Sequence, residues 1–233
     1  MYKDFAILYD EFINVPYERW ANFIDEILKK ENAKLVLDLC CGTATLTSLL
    51  QSLGYDMIGI DRSEQMLMMA RSKYENILFL QQDMRSFELY GTVDAIICTC
   101  DALNYILKEE ELIKVFGLVK NYLNPNGIFI FDLKTEETFR TLLKKTFYES
   151  EKGLITCEVD YDEEYHINEY FLNVFIKLKE GLYERSYENH YQRAHKNIEE
   201  IIEKAGFTII EKRLNYSDAE DDIYRNVYVC RSL

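Results

Sequence analysis

Asp38, Asp61 and Asp83 each end or follow a short apolar run, and small or polar residues come after them. The first begins Asp38-Leu-Cys-Cys-Gly-Thr-Ala44. Small side chains in such a loop let a ligand approach the backbone, and a helix starting after it offers free N–H groups and the positive end of its dipole. A loop of this kind serves a dinucleotide, a phosphate or the carboxylate of an amino acid. Cys40 and Ala44 break the G-x-G-x-x-G spacing of a dinucleotide fingerprint. Asp61 falls about twenty residues further on, where an acid can accept hydrogen bonds from both ribose hydroxyls. Asp83, between Gln82 and Met84, can take the exocyclic amine of adenine while an apolar side chain packs on the ring. A single aspartate is an ordinary loop or cap residue. Three at successive strand ends point to a nucleoside lacking a 2′-phosphate.

Those positions require strands, and the hydrophobic pattern supplies them. Leu35–Leu39, Met57–Asp61, Ile77–Leu80, Asp94–Cys98 and Ile128–Asp132 read as buried strands. Between them lie helical stretches: Thr45–Leu53 ended by Gly54, one capped by Ser63 and carrying Met66, Leu67, Met69 and Ala70, and one presenting Leu112, Val115, Phe116 and Val119. Leu123-Asn-Pro-Asn-Gly127 reads as a turn. Five such alternations call for a parallel sheet with helices on both faces, and right-handed crossovers make it doubly wound. Ligands then sit at the carboxyl ends of the strands, an edge that collects Asp38–Gly42, Asp61, Asp83, Cys98–Asp101 and Asp132.

Upstream, Pro16 opens a helix carrying Trp20, Phe23, Ile24, Ile27 and Leu28, and Tyr2, Phe5, Tyr9 and Phe12 form an aromatic stripe suited to core or lid. From residue 139 the period becomes two. Leu154–Tyr161 and Tyr170–Leu178 alternate, Lys179-Glu-Gly181 suits a hairpin turn, and Tyr187, Asn189, Tyr191 and Arg193 share one face of a further strand. A helix over Ile198–Ala205, stopped by Gly206, and strands Phe207–Leu214 and Ile223–Cys230 close the chain. The expected architecture is a Rossmann-like, doubly wound, mostly parallel seven-stranded sheet. Residues 1–138 and 194–233 would build it together with an N-terminal helical lid. Residues 139–193 would form a small antiparallel β insertion on the substrate side.

Val36–Asp132 resembles the core of class I S-adenosylmethionine-dependent methyltransferases. The family's acidic-x-G-x-G-x-G loop is matched by Asp38, Cys40, Gly42 and Ala44, with Cys and Ala standing for two glycines. The resemblance implies that this loop holds the methionine end of the cofactor, Asp61 the ribose, and Asp83 with Met84 the adenine. It also carries Thr43, Arg62, Met66 and Cys98 into the cofactor pocket. Phe5-Ala-Ile-Leu-Tyr-Asp10, Tyr17 and Trp20 resemble a bacterial small-molecule subgroup in which Tyr9 and Trp20 would close over the cofactor. The implied reaction turns S-adenosylmethionine into S-adenosylhomocysteine and methylates a nucleophile. The substrate loop would be Thr99–Tyr105, with Asp101, Asn104 and Tyr105 orienting an amine or hydroxyl and Tyr191 and Arg193 joining from the insertion.

Charge narrows the partners. Lys and Arg number 27 against 41 Asp and Glu, a net charge of −14, and no basic patch relieves it. Such a surface repels nucleic acid and anionic membranes, which leaves a small-molecule acceptor. No start resembling a signal peptide and no membrane-length apolar run is visible, and six cysteines without a disulfide framework suit the cytoplasm. Cys40-Cys41 and Cys98-x-Cys100 lack the paired C-x-x-C and histidine of a metal site, and His166, His190 and His195 have no ligand spacing. No G-x-S-x-G elbow is present. The acidic stretch Asp218–Asp222 reads as a solvated loop. Two rival readings stand beside the methyltransferase: a non-catalytic nucleoside-binding regulator and, against the broken fingerprint, an NAD-dependent oxidoreductase. The oligomeric state is not encoded in any of these features.

Overall fold

A computed structural model describes residues 4–13, 15–142, 144–216 and 224–233. Tyr2, Asp218–Asp222 and Ile223 lie outside them. Two sheets organise the described residues. The larger has seven strands: β1 (Leu35–Leu39), β2 (Asp56–Asp61), β3 (Leu78–Gln81), β4 (Val93–Cys98), β5 (Leu123–Lys134), β10 (Phe207–Leu214) and β11 (Arg225–Ser232). Their spatial order is β10-β11-β5-β4-β1-β2-β3, and β11 alone runs against the others. The chain moves outward from β1 to β3 and then returns to pair β4 with β1. This reversal separates the loops after β1 and β4 and opens a crevice at their carboxyl ends.

Alternation along the central strands divides the core between two faces. Val36, Ile97, Ile130 and Val229 pack with Trp20, Ile24 and Leu28 of α2 (Tyr17–Lys30) and Leu50 of α3 (Thr45–Ser52). Leu37, Ile96, Phe129 and Phe131 meet Phe116 of α5 (Glu109–Tyr122) and Ile201 of α7 (Ile198–Lys204) on the other. Strands buried on both faces in this way read as continuous apolar runs. Between β2 and β3, α4 (Glu64–Lys73) starts at Ser63, whose Oγ accepts the Met66 N–H at 3.3 Å.

Asn124–Gly127 does not precede the fifth strand but bulges within it: Val93 faces Leu123, and Ala95 already faces Ile128. Asp94 holds the bulge by accepting Asn124 Nδ2 at 2.8 Å together with the N–H groups of Lys34 and Leu35. Asn126 has a φ of 63°, and a Cβ on Gly127 would lie 2.8 Å from the Asn124 carbonyl. The other end of the sheet is also shifted, since the last strand runs to Ser232 rather than stopping at Cys230.

The second sheet is antiparallel and has four strands: β6 (Lys145–Glu149), β7 (Gly153–Asp162), β8 (Ile167–Lys179) and β9 (Leu182–Arg193). β6 was not foreseen, because Lys145–Glu149 is short and half polar, and β8 starts three residues before Tyr170. A short helix, α6 (Glu136–Thr141), leads into this sheet. Ile155, Cys157, Leu172 and Val174 pack against Phe5 and Leu8 of α1 (Phe5–Phe12). Helix α1 therefore spans both sheets. Its Asp10 takes a 2.5 Å hydrogen bond from Thr43 in the β1 loop and an ion pair from Lys73. Its Glu11 pairs with Lys152 at 2.5 Å, and the Phe5 N–H donates to Glu188 on β9.

Candidate active site

The loop after β1 has glycine-like geometry at all three family positions. Cys40, Gly42 and Ala44 have φ of 70°, 55° and 64°. A residue with a Cβ bears a cost of about 1–2 kcal/mol in the left-handed region, so two such residues indicate a conformation enforced by its surroundings. Part of that enforcement is Asp61, which ends β2. Its carboxylate accepts the Gly42 N–H at 3.0 Å and the Ser63 N–H at 2.8 Å, and burial raises its pKa. A Cβ on Gly42 would meet nothing within 4 Å, so the loop leaves open space there.

That space belongs to a narrow cleft. Of the expected cofactor residues, Tyr9, Cys40, Gly42, Asp61, Arg62, Met66, Asp83 and Met84 line it. Arg85, Thr99, Cys100, Ala102, Tyr105 and Ile106 complete the wall. Four expected residues stand elsewhere. Asp38 is buried beneath the loop, where its Oδ2 accepts Thr47 Oγ1 at 2.6 Å; burial pushes its pKa up to about 7 against the lowering effect of that bond. Thr43 points to Asp10, and Cys98 is wholly enclosed behind the loop. Trp20 is also fully buried, stacked on Tyr216 at 4.4 Å and lying 4.5 Å beneath the Arg225 guanidinium. Its place on the apolar face of α2 puts it in the core rather than over a ligand. Arg85 went unnoticed in the sequence. It donates Nε and Nη2 to Asp83 at 2.8 and 2.6 Å, engaging both carboxylate oxygens and holding that group below its usual pKa.

A larger cavity of about 520 Å³ adjoins the cleft. It lies between α1, the end of β5 and the inner face of the second sheet, and shares Tyr9, Cys100 and Tyr105 with the cleft. Cys100 and Asp101 both have positive φ, 57° and 52°. The buried Asp132 carboxylate clamps this turn, accepting the Cys100 N–H at 2.9 Å and the Asp101 N–H at 2.6 Å. Arg225 at 3.1 Å and the Tyr216 hydroxyl at 2.7 Å secure Asp132 in turn. Asp101 receives Lys134 at 3.0 Å, Gln192 at 2.5 Å and Arg225 at 3.3 Å. Burial works most strongly against the charge on Lys134, but Asp101 and the tyrosines Tyr170 and Tyr105 together outweigh it and move the lysine pKa up.

Of the expected substrate-side residues, Asp101 and Tyr105 line this cavity. Asn104 does not: its amide donates to the carbonyls of Lys134 and Arg193 and accepts the Lys134 N–H, strapping the 3₁₀ turn to β5 and β9. The expectation for β9 has its faces reversed. Tyr187 and Tyr191 point outward, while Glu188, His190 and Gln192 point in. Arg193 donates to the Leu107 carbonyl at 2.6 Å and borders a different cavity. His190 Nε2 lies 3.0 Å from Glu188, and its ring meets Phe5 and Tyr105 edge-on.

Crevice, loop geometry and sheet order define a class I methyltransferase. Residues 36–127 match a family model described as a methyltransferase domain. A protein of Geobacillus sp., provisionally named a methyltransferase, is 32% identical over 232 residues, 93% of either chain. The dTDP-3-amino-3,4,6-trideoxy-alpha-D-glucopyranose N,N-dimethyltransferase of Streptomyces venezuelae is 30% identical over 139 residues, 57% of this chain and 58% of its own. The crystal structure of an S-adenosylmethionine-dependent methyltransferase from Clostridium acetobutylicum superposes with a TM-score of 0.85 at 28% identity, covering 99% of this chain and 98% of that one. The chain belongs to the class I S-adenosylmethionine-dependent methyltransferases, and S-adenosylmethionine is its cofactor. The donor set suits that molecule: an acid for the ribose, open space at Gly42, and the thioethers Met66 and Met84 for a flat base. No helix among the described residues is long and apolar enough to cross a membrane.

Proposed function

We propose that the chain methylates a nitrogen or oxygen of a small molecule held in the 520 Å³ cavity, with the cofactor in the adjoining cleft. The observation that carries this reading is the common wall of Tyr9, Cys100 and Tyr105, where a methyl donor and an acceptor can meet without crossing solvent. The aminosugar-acting relative supports a small-molecule acceptor. In this reading Asp61 accepts from the ribose hydroxyls, Met66 and Met84 flank the adenine, and Arg85 yields one Asp83 oxygen to its amine. The Gly42 loop and the carboxylate of Asp38 beneath it favour the positively charged methionine end.

The bound cofactor supplies an activated methyl group on a sulfonium. What the protein adds is placement and dryness, and effective molarities on the order of 10⁵ M are available from placement alone. Tyr9 stays a neutral phenol, because enclosure raises its pKa. Its ring and that of Tyr105 favour positive charge at the transfer point. Asp132 positions the Cys100–Asp101 turn between the two compartments. Helix α1 serves as the lid, residues 139–193 as the acceptor-side insertion on a core of 1–138 and 194–233, and the cytoplasm as the site of action.

Thermal unfolding with S-adenosylmethionine, S-adenosylhomocysteine or NAD tests the pocket. At about 100 times Kd a ligand adds ~2.7 kcal/mol, which at roughly 2–4 °C per kcal/mol for a chain of this size raises Tm by about 5–11 °C. The two sulfur ligands should do so and NAD should not. A shift with NAD alone would contradict the assignment of the cleft.

A further inference from the structure

The acceptor cavity has an unusual balance of charge. Much of its wall is carbon, from Phe5, Phe12, Ile13, Val15, Val159 and Leu172. Phe5 meets Tyr9 and Phe12 edge-on, each at 5.5 Å between ring centres, so a further flat ring finds matching faces and edges. Among the described residues, the ionisable acid and base side chains that line it are Asp101, Lys134, His190 and Arg225. All four already have partners within the protein. Lys134 and Arg225 converge on Asp101, and Arg225 also reaches Asp132, so two cations face two carboxylates. Gln192 donates to Asp101 and accepts the Tyr170 hydroxyl at 2.9 Å, and Tyr170 takes a bond from Lys134 at 3.3 Å. His190 rests on Glu188.

A phosphate or carboxylate entering this space would have to draw Lys134 or Arg225 from its carboxylate and leave that buried charge unmatched. An ammonium faces the same obstacle at Asp101 and, at the shared wall, the like charge of the sulfonium. A volume of about 520 Å³ lies within the usual ~300–1,000 Å³ range of small-molecule pockets. We infer that the acceptor is an uncharged molecule with a ring-sized apolar body and a neutral nucleophile, such as a phenol or an arylamine, and is neither a nucleotide sugar nor an amino acid. This rests on the reading of the two cavities given above.

The test needs no knowledge of the natural acceptor. Three probes share one ring system and differ in charge: 2-naphthol is neutral, 2-naphthoate anionic and 2-naphthylmethylamine cationic. Each is titrated calorimetrically into protein saturated with S-adenosylhomocysteine, alongside glycine and thymidine diphosphate. Naphthol should bind at least tenfold more tightly than any of the others. Val159→Trp, which fills the cavity, should abolish naphthol binding while leaving the S-adenosylhomocysteine affinity unchanged. Equal or tighter binding of a charged compound overturns the inference, as does the absence of binding by all three naphthyl probes. Retention of naphthol by Val159→Trp overturns it as well. Failure to bind S-adenosylhomocysteine at the outset would overturn the underlying reading too, so the two failures are separable.

Discussion

The cofactor cleft and the acceptor cavity share a wall but are built on different principles. The cleft is made by the ends of neighbouring parallel strands, so its parts come from short contiguous segments: Cys40–Gly42, Asp61–Arg62, Asp83–Arg85 and Thr99–Cys100. Backbone amides and unusual φ values do much of its work. The cavity instead gathers side chains from Phe5 to Arg225, across both sheets and the first helix. Its polar wall is a closed set of buried charges. One compartment depends on local backbone geometry and the other on long-range packing, and the two should therefore fail differently.

Removing a charge from the cavity wall should have the largest effect. Arg225→Met leaves Asp132 and Asp101 buried with one cation fewer. Breaking such a set costs about 3–5 kcal/mol, or roughly 6–20 °C in Tm at this chain length. A circular-dichroism melt that moved by less than a few degrees would mean the cluster carries little stability. On the cleft side the loss should be of ligand rather than fold. Asp61→Ala removes two charge-assisted bonds to a ribose and should weaken S-adenosylhomocysteine by roughly 100-fold or more. Its Tm should fall less than that of Arg225→Met. Unchanged affinity in calorimetry would remove Asp61 from the ribose site.

A smaller effect follows from Asp38. Its pKa is about 7 in the folded protein, against an ordinary 3.8, because burial disfavours the carboxylate. A raised carboxylate pKa contributes stability that is complete below about pH 4 and is lost as pH rises towards 7. Ligand binding should run the other way, since the ammonium at the ligand's amino-acid end favours the ionised form of Asp38. S-adenosylhomocysteine affinity should level off about one unit above that pKa and fall by up to tenfold per pH unit below it. Flat affinity from pH 5.5 to 7.5 would separate Asp38 from the ligand.

The same contrast explains what could be read from the sequence. Apolar runs, the small-residue loop and the spacing to Asp61 announce the large sheet and most of the cleft, because a strand and its following turn are local in the chain. Arg85 was missed because an arginine two residues after an aspartate has no sequence signature until the turn folds it back. The cavity was harder still. Period-two alternation reveals that β9 has two faces but not which one meets α1, and the apolar-looking Tyr187 and Tyr191 suggested the wrong one. Trp20 shows the converse error: an aromatic on an amphipathic helix resembled a ligand contact, and Arg225 and Tyr216, about 200 residues away in sequence, claimed it for the core.

The most direct test of the two-compartment account is a crystal structure with S-adenosylhomocysteine bound. The account predicts ribose hydroxyls on Asp61, adenine between Met66 and Met84, Arg85 turned away from one Asp83 oxygen, and the sulfur at the wall shared by Tyr9, Cys100 and Tyr105. A sulfur directed away from that wall, or a ligand seated wholly inside the 520 Å³ cavity, would contradict it.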